Sequence, residues 1–143
     1  MTRPEISELI AKVLDAWQRR DVTALANFHV EDGEVESPLA GGLARGREAI
    51  ERVYQAFFRS FPDLKMQTDE PLIDGHRVVL IARFSGTDHG GFMGMHPTGR
   101  SVDFPCILLF DLKDGLIARE RRIYDFTGLL VQIGMLKAKI RDH

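Results

Sequence analysis

The sequence predicts an α+β domain in which N-terminal helices close a strongly curved antiparallel β-sheet shaped like a cup. Three observations support this fold class. Apolar residues recur at helical spacing from Ile6 to Phe61, alternation with period two begins at Leu64, and Asp-Gly pairs at 74–75 and 114–115 mark tight turns. Helices followed by a meander of strands are typical of the α+β class, and we expect about four to six strands.

Length and composition point to one globular domain spanning residues 1–143. Charged residues make up 28% of the chain and the net charge is −2, which gives no electrostatic reason to expect a nucleic-acid or membrane partner. The single cysteine, Cys106, excludes an internal disulfide. Because the sequence contains neither a signal-peptide pattern nor a long apolar run, we expect a soluble cytoplasmic protein.

Three helices are predicted in the first part of the chain. The first begins with the Thr2–Glu5 spacing of a capping box and carries one apolar stripe that ends at Trp17. Asp21 is expected to cap a short second helix. The third helix runs from about Arg47 to Phe61, and two interpretations of its aromatic face remain open, core packing and the wall of a ligand cavity. This face comprises Tyr54, Phe57, Phe58 and Phe61.

The strand predicted at Val78–Phe84 is apolar except for Arg83. A nearly continuous apolar strand needs cover on both faces, and the helices can cover only one of them. We therefore expect a homodimer that buries the outer face of the sheet. Arg83 has two interpretations, since its charged end either reaches the edge of the sheet or points into a polar pocket.

A long glycine-rich segment, Gly86–Arg100, separates two of the predicted strands. It lacks the Gly-Lys-Ser/Thr ending of a phosphate-binding loop, and we interpret it as a connection mobile enough to act as a lid. Its histidines, His89 and His96, lack regular ligand spacing and are expected to face solvent rather than to bind a metal. No dinucleotide-binding fingerprint occurs either, so we expect no metal and no organic cofactor.

The segment Gly115–Gly134 contains the main candidate for chemistry, Asp125, which lies between a predicted strand and a predicted helix. Period-two alternation places Asp125 on one face of the strand with Arg121 and Ile123. If that face lines an apolar cavity, Asp125 is placed to act as a general base. The alternative is that Asp125 is the N-cap of the helix, with Thr127 as a competing cap.

The C-terminal half also carries a set of motifs: Gly86-Thr87, Pro97-Thr98-Gly99, Asp114-Gly115-Leu116-Ile117, Asp125, Leu129-Leu130 and Gln132-Ile133-Gly134. Together they resemble the SnoaL-like polyketide cyclase family of the nuclear-transport-factor-2-like (cystatin-like) superfamily. The N-terminal half resembles the family in the order of its helices. The chain departs from the family pattern at Asp88, where a histidine is frequent, and at Arg121, where a tryptophan is common.

The resemblance implies a cofactor-independent enzyme that acts on a small hydrophobic carbonyl compound, by intramolecular aldol condensation or by a related isomerisation. Asp125 would be its general acid/base, with His89 and Arg121 as further catalytic candidates. Tyr54 and Asp103 are assigned to substrate binding by analogy with the oxyanion hole of ketosteroid isomerase. The full set of candidate substrate-binding residues is Trp17, Tyr54, Phe57, Arg83, Asp103, Met93 and Ile123. The alternative function is a non-catalytic protein that binds a small hydrophobic ligand.

Overall fold

The computed structural model of the protein describes residues 1–38 and 42–137, which form four helices and seven strands. The helices are α1 (Arg3–Arg19), α2 (Val22–Asn27), α3 (Arg47–Ser60) and α4 (Phe126–Gln132). The strands are β1 (His29–Ser37), β2 (Gly42–Arg45), β3 (Lys65–Thr68), β4 (Leu72–Asp74), β5 (Arg77–Thr87), β6 (Ser101–Lys113) and β7 (Leu116–Tyr124). No helix in these two ranges is both long enough and apolar enough to cross a lipid bilayer.

The helices begin and end where local chemistry predicts. Thr2 and Glu5 form a complete capping box at the start of α1. Asp21 accepts a hydrogen bond from the backbone N–H of Ala24 and so caps α2. The third helix ends two residues before Pro62, whose ring and missing N–H would break a continuing helix.

All seven strands belong to one curved sheet that does not close into a barrel. Their spatial order is β2-β1-β7-β6-β5-β3, and β4 also pairs with β5. The longest pairing joins β5 to β6, from Arg77 opposite Asp111 to Thr87 opposite Ser101. The predicted Asp-Gly turns join β4 to β5 and β6 to β7.

The α+β class and the cup-shaped sheet are confirmed, with two differences in detail. The sheet has seven strands rather than four to six. In addition, β1 pairs with β7 in parallel, whereas the other strand pairs of the described chain are antiparallel. Side chains alternate with the same period in both orientations, and so the sequence pattern could not reveal the parallel pair.

One face of the sheet packs against α1 and α3 and holds the core. Along most of its length β6 alternates between inward, buried residues and outward, more exposed ones. Trp17 of α1 and Tyr54 of α3 cover the inner face and are themselves buried. On the outer face, Ile81 of β5 is 45% exposed. A single chain therefore covers only the inner face of this strand.

Candidate functional site

A β-bulge in β7 decides which of its side chains enter the interior. Opposite β6, the pairing changes from Leu112–Ile117 to Asp111–Arg119, so that Ala118 is an extra residue on β7. An extra residue exchanges the two faces of a strand for every position that follows it. Strict alternation from Ile117 would point residues 119, 121 and 123 inward. Because of the extra residue, Glu120 and Arg122 point inward instead.

As a consequence, Arg121 and Ile123 lie on the outer face of the sheet, where they line a hollow together with Glu36, and they do not point into the interior. Arg121 Nε donates to Glu36 Oε2 at 3.1 Å in an ion pair near the surface. Ile123 is 52% exposed. Glu120 and Arg122 point inward in their place, and both are buried. Neither was a candidate from the sequence.

Asp125 directly follows β7 and is the N-cap of α4. Its Oδ1 accepts a hydrogen bond from the backbone N–H of Gly128 at 2.9 Å, and the residue is exposed. A Cβ atom at Gly128 would lie 2.2 Å from Oδ2 of Asp125, so a side chain there would displace the carboxylate. The capping interpretation is confirmed, and the placement of Asp125 in a cavity wall is not. Any chemistry at Asp125 takes place at the surface.

Four further candidates from the sequence also lie on the surface. Arg83 and Asp103 pair with each other on the outer face, with Nε 2.8 Å from Oδ1. His89 and Met93 are exposed residues of the segment between β5 and β6. Among the described residues, no three His, Cys, Asp or Glu side chains are placed to hold a metal ion. The structure does not bring these four residues into the interior.

Three of the predicted substrate-binding residues do meet in the interior. Trp17 packs edge-on against Tyr54 and Phe57, with ring centroids 5.1 and 6.4 Å apart. Phe84 of β5 completes the group, with its ring centroid 5.5 Å from that of Trp17. All four side chains are buried. We call Trp17, Tyr54, Phe57 and Phe84 the aromatic cluster.

A set of buried polar and charged side chains lies against the aromatic cluster. Arg122 Nε donates to Glu120 Oε2 at 2.7 Å, and the Tyr54 hydroxyl donates to Glu120 Oε1 at 2.5 Å. His29 Nδ1 donates to the carbonyl oxygen of Leu25 at 2.8 Å, which leaves His29 Nε2 facing Glu120 Oε1 at 3.4 Å. We call Glu120, Arg122, Tyr54 and His29 the buried network.

The buried network shifts the pKa values of Glu120 and Tyr54. Burial raises the pKa of Glu120, but Arg122, His29 and Tyr54 together lower it further, and the pKa falls to about 2. Burial and the adjacent Glu120 charge raise the pKa of Tyr54 well above its ordinary value. At neutral pH the interior therefore holds a carboxylate beside a guanidinium and a neutral phenol. A carboxylate with so low a pKa is a weak base, so Glu120 is unsuited to removing a proton from carbon.

Three buried nitrogen atoms at this site have hydrogen-bonding capacity to spare. Arg122 Nη1, Arg122 Nη2 and Trp17 Nε1 have no hydrogen-bond partner among the described residues. The guanidinium carbon of Arg122 lies 4.6 Å from the ring centroid of Tyr54 and 5.3 Å from that of Trp17. A buried donor without an acceptor costs about 1–3 kcal/mol. The buried network can therefore accept a partner that supplies oxygen atoms.

Two hollows open near this interior. A groove of about 960 Å³ runs between α1 and the edge strand β3, and Trp17 lines it together with Arg20 and Lys65. A smaller hollow of about 330 Å³ lies at the end of β7 and is lined by Arg121, Arg122, Ile123 and Tyr124 among others. The groove has the size of an ordinary ligand site. Trp17 belongs both to this groove and to the aromatic cluster, and the guanidinium carbon of Arg122 lies 5.3 Å from its ring.

Asp88 is buried and organises the glycine-rich segment. Its Oδ1 accepts from the N–H of Gly91 at 3.1 Å, and its Oδ2 accepts from the N–H and the hydroxyl of Thr98 at 3.0 and 2.9 Å. Ser60 of α3 donates its hydroxyl to the Gly91 carbonyl at 2.9 Å. Phe92 is fully buried. These tethers contradict the interpretation of the segment as a mobile lid.

We expect Asp88→Ala to lower the free energy of unfolding by about 1–3 kcal/mol, because the buried N–H of Gly91 loses its acceptor. Amide hydrogen exchange at Gly91 and Thr98 should become faster at the same time. Asp88→Asn is the matched control, since its carbonyl oxygen can still accept from Gly91 and less stability should be lost. Urea unfolding measures the stability. An Asp88→Ala variant as stable as the original protein would show that the tethers do not hold the segment.

The fold is shared with several solved structures. TsrD from Streptomyces laurentii is 25% identical, with a TM-score of 0.82 over 95% of this chain and 99% of its own. IdmH from Streptomyces antibioticus, provisionally named a polyketide cyclase, is 27% identical, with a TM-score of 0.74 over 93% of this chain and 99% of its own. AclR from Streptomyces galilaeus, provisionally named a hydroxylase, is 23% identical, with a TM-score of 0.81 over 95% and 100%, and its likeness concerns the fold alone.

Comparison of the sequence identifies a family, although it finds no individual curated relative. No curated protein matches the chain significantly. The family model of the SnoaL-like polyketide cyclases, in contrast, matches residues 7–133, which include most of α1, the whole described sheet and α4. The chain therefore belongs to the SnoaL-like polyketide cyclase family.

Proposed function

We propose that the protein is a cofactor-independent enzyme that removes a proton next to a carbonyl group of a small hydrophobic substrate. The resulting enolate carbon attacks a second carbonyl of the same molecule, and a carbon–carbon bond forms. The new alkoxide then takes a proton back from the acid that the base has become. If the enolate is instead protonated at another carbon, the same residues move a double bond. Both reactions balance without any redox partner.

The observation that carries this proposal is the buried network within the aromatic cluster. Removing an ion pair such as Glu120–Arg122 from water costs several kcal/mol per ion, and apolar side chains of similar size would often stabilise a core better. Charged groups with shifted pKa values concentrate at functional sites. In a dry interior, the Arg122 guanidinium would stabilise the negative charge that develops on a carbonyl oxygen as the proton leaves.

Asp125 is the proposed base, by its match to the general acid/base position of the family. It follows Tyr124, whose ring packs against the inner-face Phe104 with centroids 5.4 Å apart. Arg122 would stabilise the enolate and Asp125 would remove the proton. A separate base is needed, because the low pKa of Glu120 makes it too weak a base for this step.

Exchange of α-protons for deuterium in 1-tetralone, a hydrophobic ketone, tests this proposal without knowledge of the natural substrate. We expect the protein to catalyse the exchange and Asp125→Asn to slow it by roughly two to four orders of magnitude, the usual contribution of a positioned base. Asn caps helices about as well as Asp, so the melting temperature should hardly change. Asp125→Ala is the control for the cap and should cost about 1 kcal/mol of stability. Full exchange activity in Asp125→Asn would remove the catalytic role.

The second candidate function is a non-catalytic protein that binds a small hydrophobic ligand. It is favoured by one observation, the exposed position of Asp125 and its hydrogen bond to Gly128, which explain this residue by helix capping alone. In that case no variant of Asp125 alters ligand binding, and the protein does not exchange the α-protons of any ketone. The Asn and Ala variants thus separate the two functions.

We also propose that a second copy of this chain covers the outer face of the sheet. Ile81, Ile107 and Ile123 lie opposite one another on three adjacent strands, and each is at least 40% exposed. Ion pairs flank this row on the same face, Arg83–Asp103 on one side and Arg121–Glu36 on the other. A face that carries both signs of charge around an apolar centre can be complementary to itself, as a two-fold interface requires.

Sedimentation velocity should find the protein as a dimer at micromolar concentrations and Ile107→Lys as a monomer, because the substitution places a charge at the centre of the apolar row. Met95→Lys is the control, since Met95 is an exposed apolar residue outside the sheet. A monomeric original protein, or loss of the dimer in Met95→Lys as well, would contradict the proposed interface.

A further inference from the structure

We propose that the glycine-rich segment between β5 and β6 binds one Cu⁺ ion through the side chains of Met93, Met95 and His96. All three residues are exposed, and none of them belongs to the aromatic cluster or to the buried network. The site is therefore separate from the proposed catalytic chemistry. Its test does not depend on whether the protein is an enzyme.

A tight turn presents the two methionines at the surface. The backbone N–H of Met95 donates to the carbonyl oxygen of Phe92 at 3.0 Å and closes a β-turn. The central residues of this turn, Met93 and Gly94, have φ values of 54° and 76°. Positive φ at both central positions is the pattern of a type I′ turn, which prefers asparagine, aspartate and glycine there. A methionine at the first central position is unusual.

The backbone conformation of Met93 is unfavourable for its residue type. At positive φ the Cβ atom of an L-residue crowds its own backbone, a cost that glycine avoids. Met93 is 54% exposed, so its side chain does not offset this strain by packing in the core. Strained residues of this kind cluster where a structure holds a ligand. A function for the exposed sulfur atom explains why methionine stands at this position.

The turn is held firmly from below. Phe92 is fully buried, and its ring centroid lies 5.6 Å from that of Phe61 and 6.1 Å from that of Phe126. The chain then folds back on itself, since a Cβ atom at Gly91 would lie 2.1 Å from the carbonyl oxygen of Met95. A loop that is already ordered loses little conformational freedom when its side chains bind an ion.

The donor atoms select the kind of ion. Thioether sulfur is a soft ligand of the kind that Cu⁺ binds, and imidazole nitrogen also suits copper. Methionine is unbranched and flexible, so the sulfur atoms of two methionines on one turn can reach the same ion. The histidines of the segment have no regular ligand spacing by themselves. The methionines supply the ligands that the histidines lack.

Hard cations such as Mg²⁺ and Ca²⁺ do not fit this site, because they prefer oxygen ligands. The nearest carboxylate in the segment, Asp88, is already engaged. Its Oδ1 accepts from the N–H of Gly91, and its Oδ2 accepts from the N–H and the hydroxyl of Thr98. The available ligands are therefore neutral, which favours a monovalent soft ion.

The thiol of Cys106 is the other soft ligand that must be considered. It is buried in β6, and burial raises its pKa to about 12. The thiol therefore stays protonated at neutral pH, whereas the thiolate is the form that binds metals. In the folded protein we expect Cu⁺ at the turn and not at Cys106.

The test is a titration with Cu⁺, supplied as its acetonitrile complex under nitrogen and followed by ¹³C NMR of the methionine methyl groups. The chain contains five methionines, so the spectrum is simple. We expect one equivalent of Cu⁺ to shift the resonances of Met93 and Met95. Those of Met1, Met66 and Met135 should stay in place. Competition with increasing acetonitrile, which also binds Cu⁺, measures the affinity.

Leucine variants separate the sulfur atom from the apolar surface, because leucine and methionine have similar volumes. Even the loss of a residue that only supports a metal ligand costs roughly 10- to 100-fold in affinity. We therefore expect Met93→Leu, Met95→Leu and His96→Gln each to weaken Cu⁺ binding by about tenfold or more. Met66→Leu, in β3, is the matched control and should retain the affinity. Cys106→Ala should retain it as well.

Met93→Asn tests the strain independently of the metal. Asparagine tolerates positive φ better than methionine, so urea denaturation should find this variant more stable than the original protein. Its affinity for Cu⁺ should fall as in Met93→Leu. A gain in stability together with a loss of metal binding identifies a side chain that serves the ion. A less stable Met93→Asn would contradict the argument from strain.

Three results would overturn the inference. The first is a spectrum in which Cu⁺ shifts neither Met93 nor Met95. The second is full affinity in both leucine variants, which would leave the two methionines as an apolar surface for a protein partner. The third is loss of binding in Cys106→Ala alone, which would place the ion at the thiol. The exposed positions of Met93, Met95 and His96 make misfolding of their variants an unsuitable explanation for any loss.

Discussion

Arg122→Met is expected to lower the free energy of unfolding by about 3–5 kcal/mol, among the largest effects of any single substitution in this protein. The reason is that Glu120 would remain buried and charged without its cation. Met fills most of the space that the arginine stem occupies, so lost packing explains little of the effect. Urea denaturation followed by far-ultraviolet circular dichroism measures the difference.

The matched control is Glu120→Gln/Arg122→Met, which removes the carboxylate as well. Replacement of a whole buried ion pair is often neutral or stabilising, so the double variant should recover most of the stability lost in Arg122→Met. Recovery identifies the uncompensated charge as the cause. A double variant as unstable as Arg122→Met would instead indicate that the guanidinium is needed for packing against the aromatic cluster.

Acidification is expected to remove about 3 kcal/mol of stability through Glu120 alone. The pKa of this carboxyl group is about 2 in the folded protein, against an ordinary value of 4.5. A group whose pKa is depressed by folding stabilises the folded state above its unfolded pKa and loses that contribution as the pH falls towards its folded pKa. The loss from Glu120 should therefore develop between about pH 5 and pH 2.

The pH dependence is measured as the slope of unfolding free energy against pH, compared between the original protein and Glu120→Gln. The variant is less stable throughout, because Arg122 loses its partner, but its slope in the acid range should be markedly smaller. Surface carboxylates contribute equally to both proteins and cancel in the comparison. Identical slopes would mean that Glu120 does not carry a depressed pKa.

Local patterns predicted the helices and turns well. The Thr2–Glu5 capping box and the Asp21 cap exist as expected, because caps depend on residues only three positions apart. The Asp114–Gly115 pair turns the chain where predicted, since Asp114 has a φ of 53° and Gly115 a φ of 78°. Such φ values are favourable for glycine and tolerated by aspartate, so an Asp-Gly pair in the sequence predicts the turn.

The sequence does not predict which side chains of β7 point into the interior, and most of the candidate site depends on those side chains. The bulge at Ala118 exchanges the inner and outer faces of the strand. Alanine is not a residue type that signals a bulge, so the sequence does not reveal it. The charged run Arg119–Arg122 makes both faces of the strand look polar. The neighbouring strand gives one indication of which β7 side chains point inward. In β6, Leu108 lies opposite Arg122 and is buried, and residues opposite each other in a sheet share a face. This indication can be used only when the register between β6 and β7 is known.

The central claim is that the interior around Arg122, rather than the outer face or the groove alone, receives the substrate. A crystal structure of the protein with 2-naphthoate tests it most directly. We expect carboxylate oxygens about 3 Å from Arg122 Nη1 or Nη2 and from Trp17 Nε1, with the naphthalene ring against Tyr54. Naphthoate bound at Lys65 in the groove, or on Ile107 of the outer face, and away from Arg122 would contradict the claim.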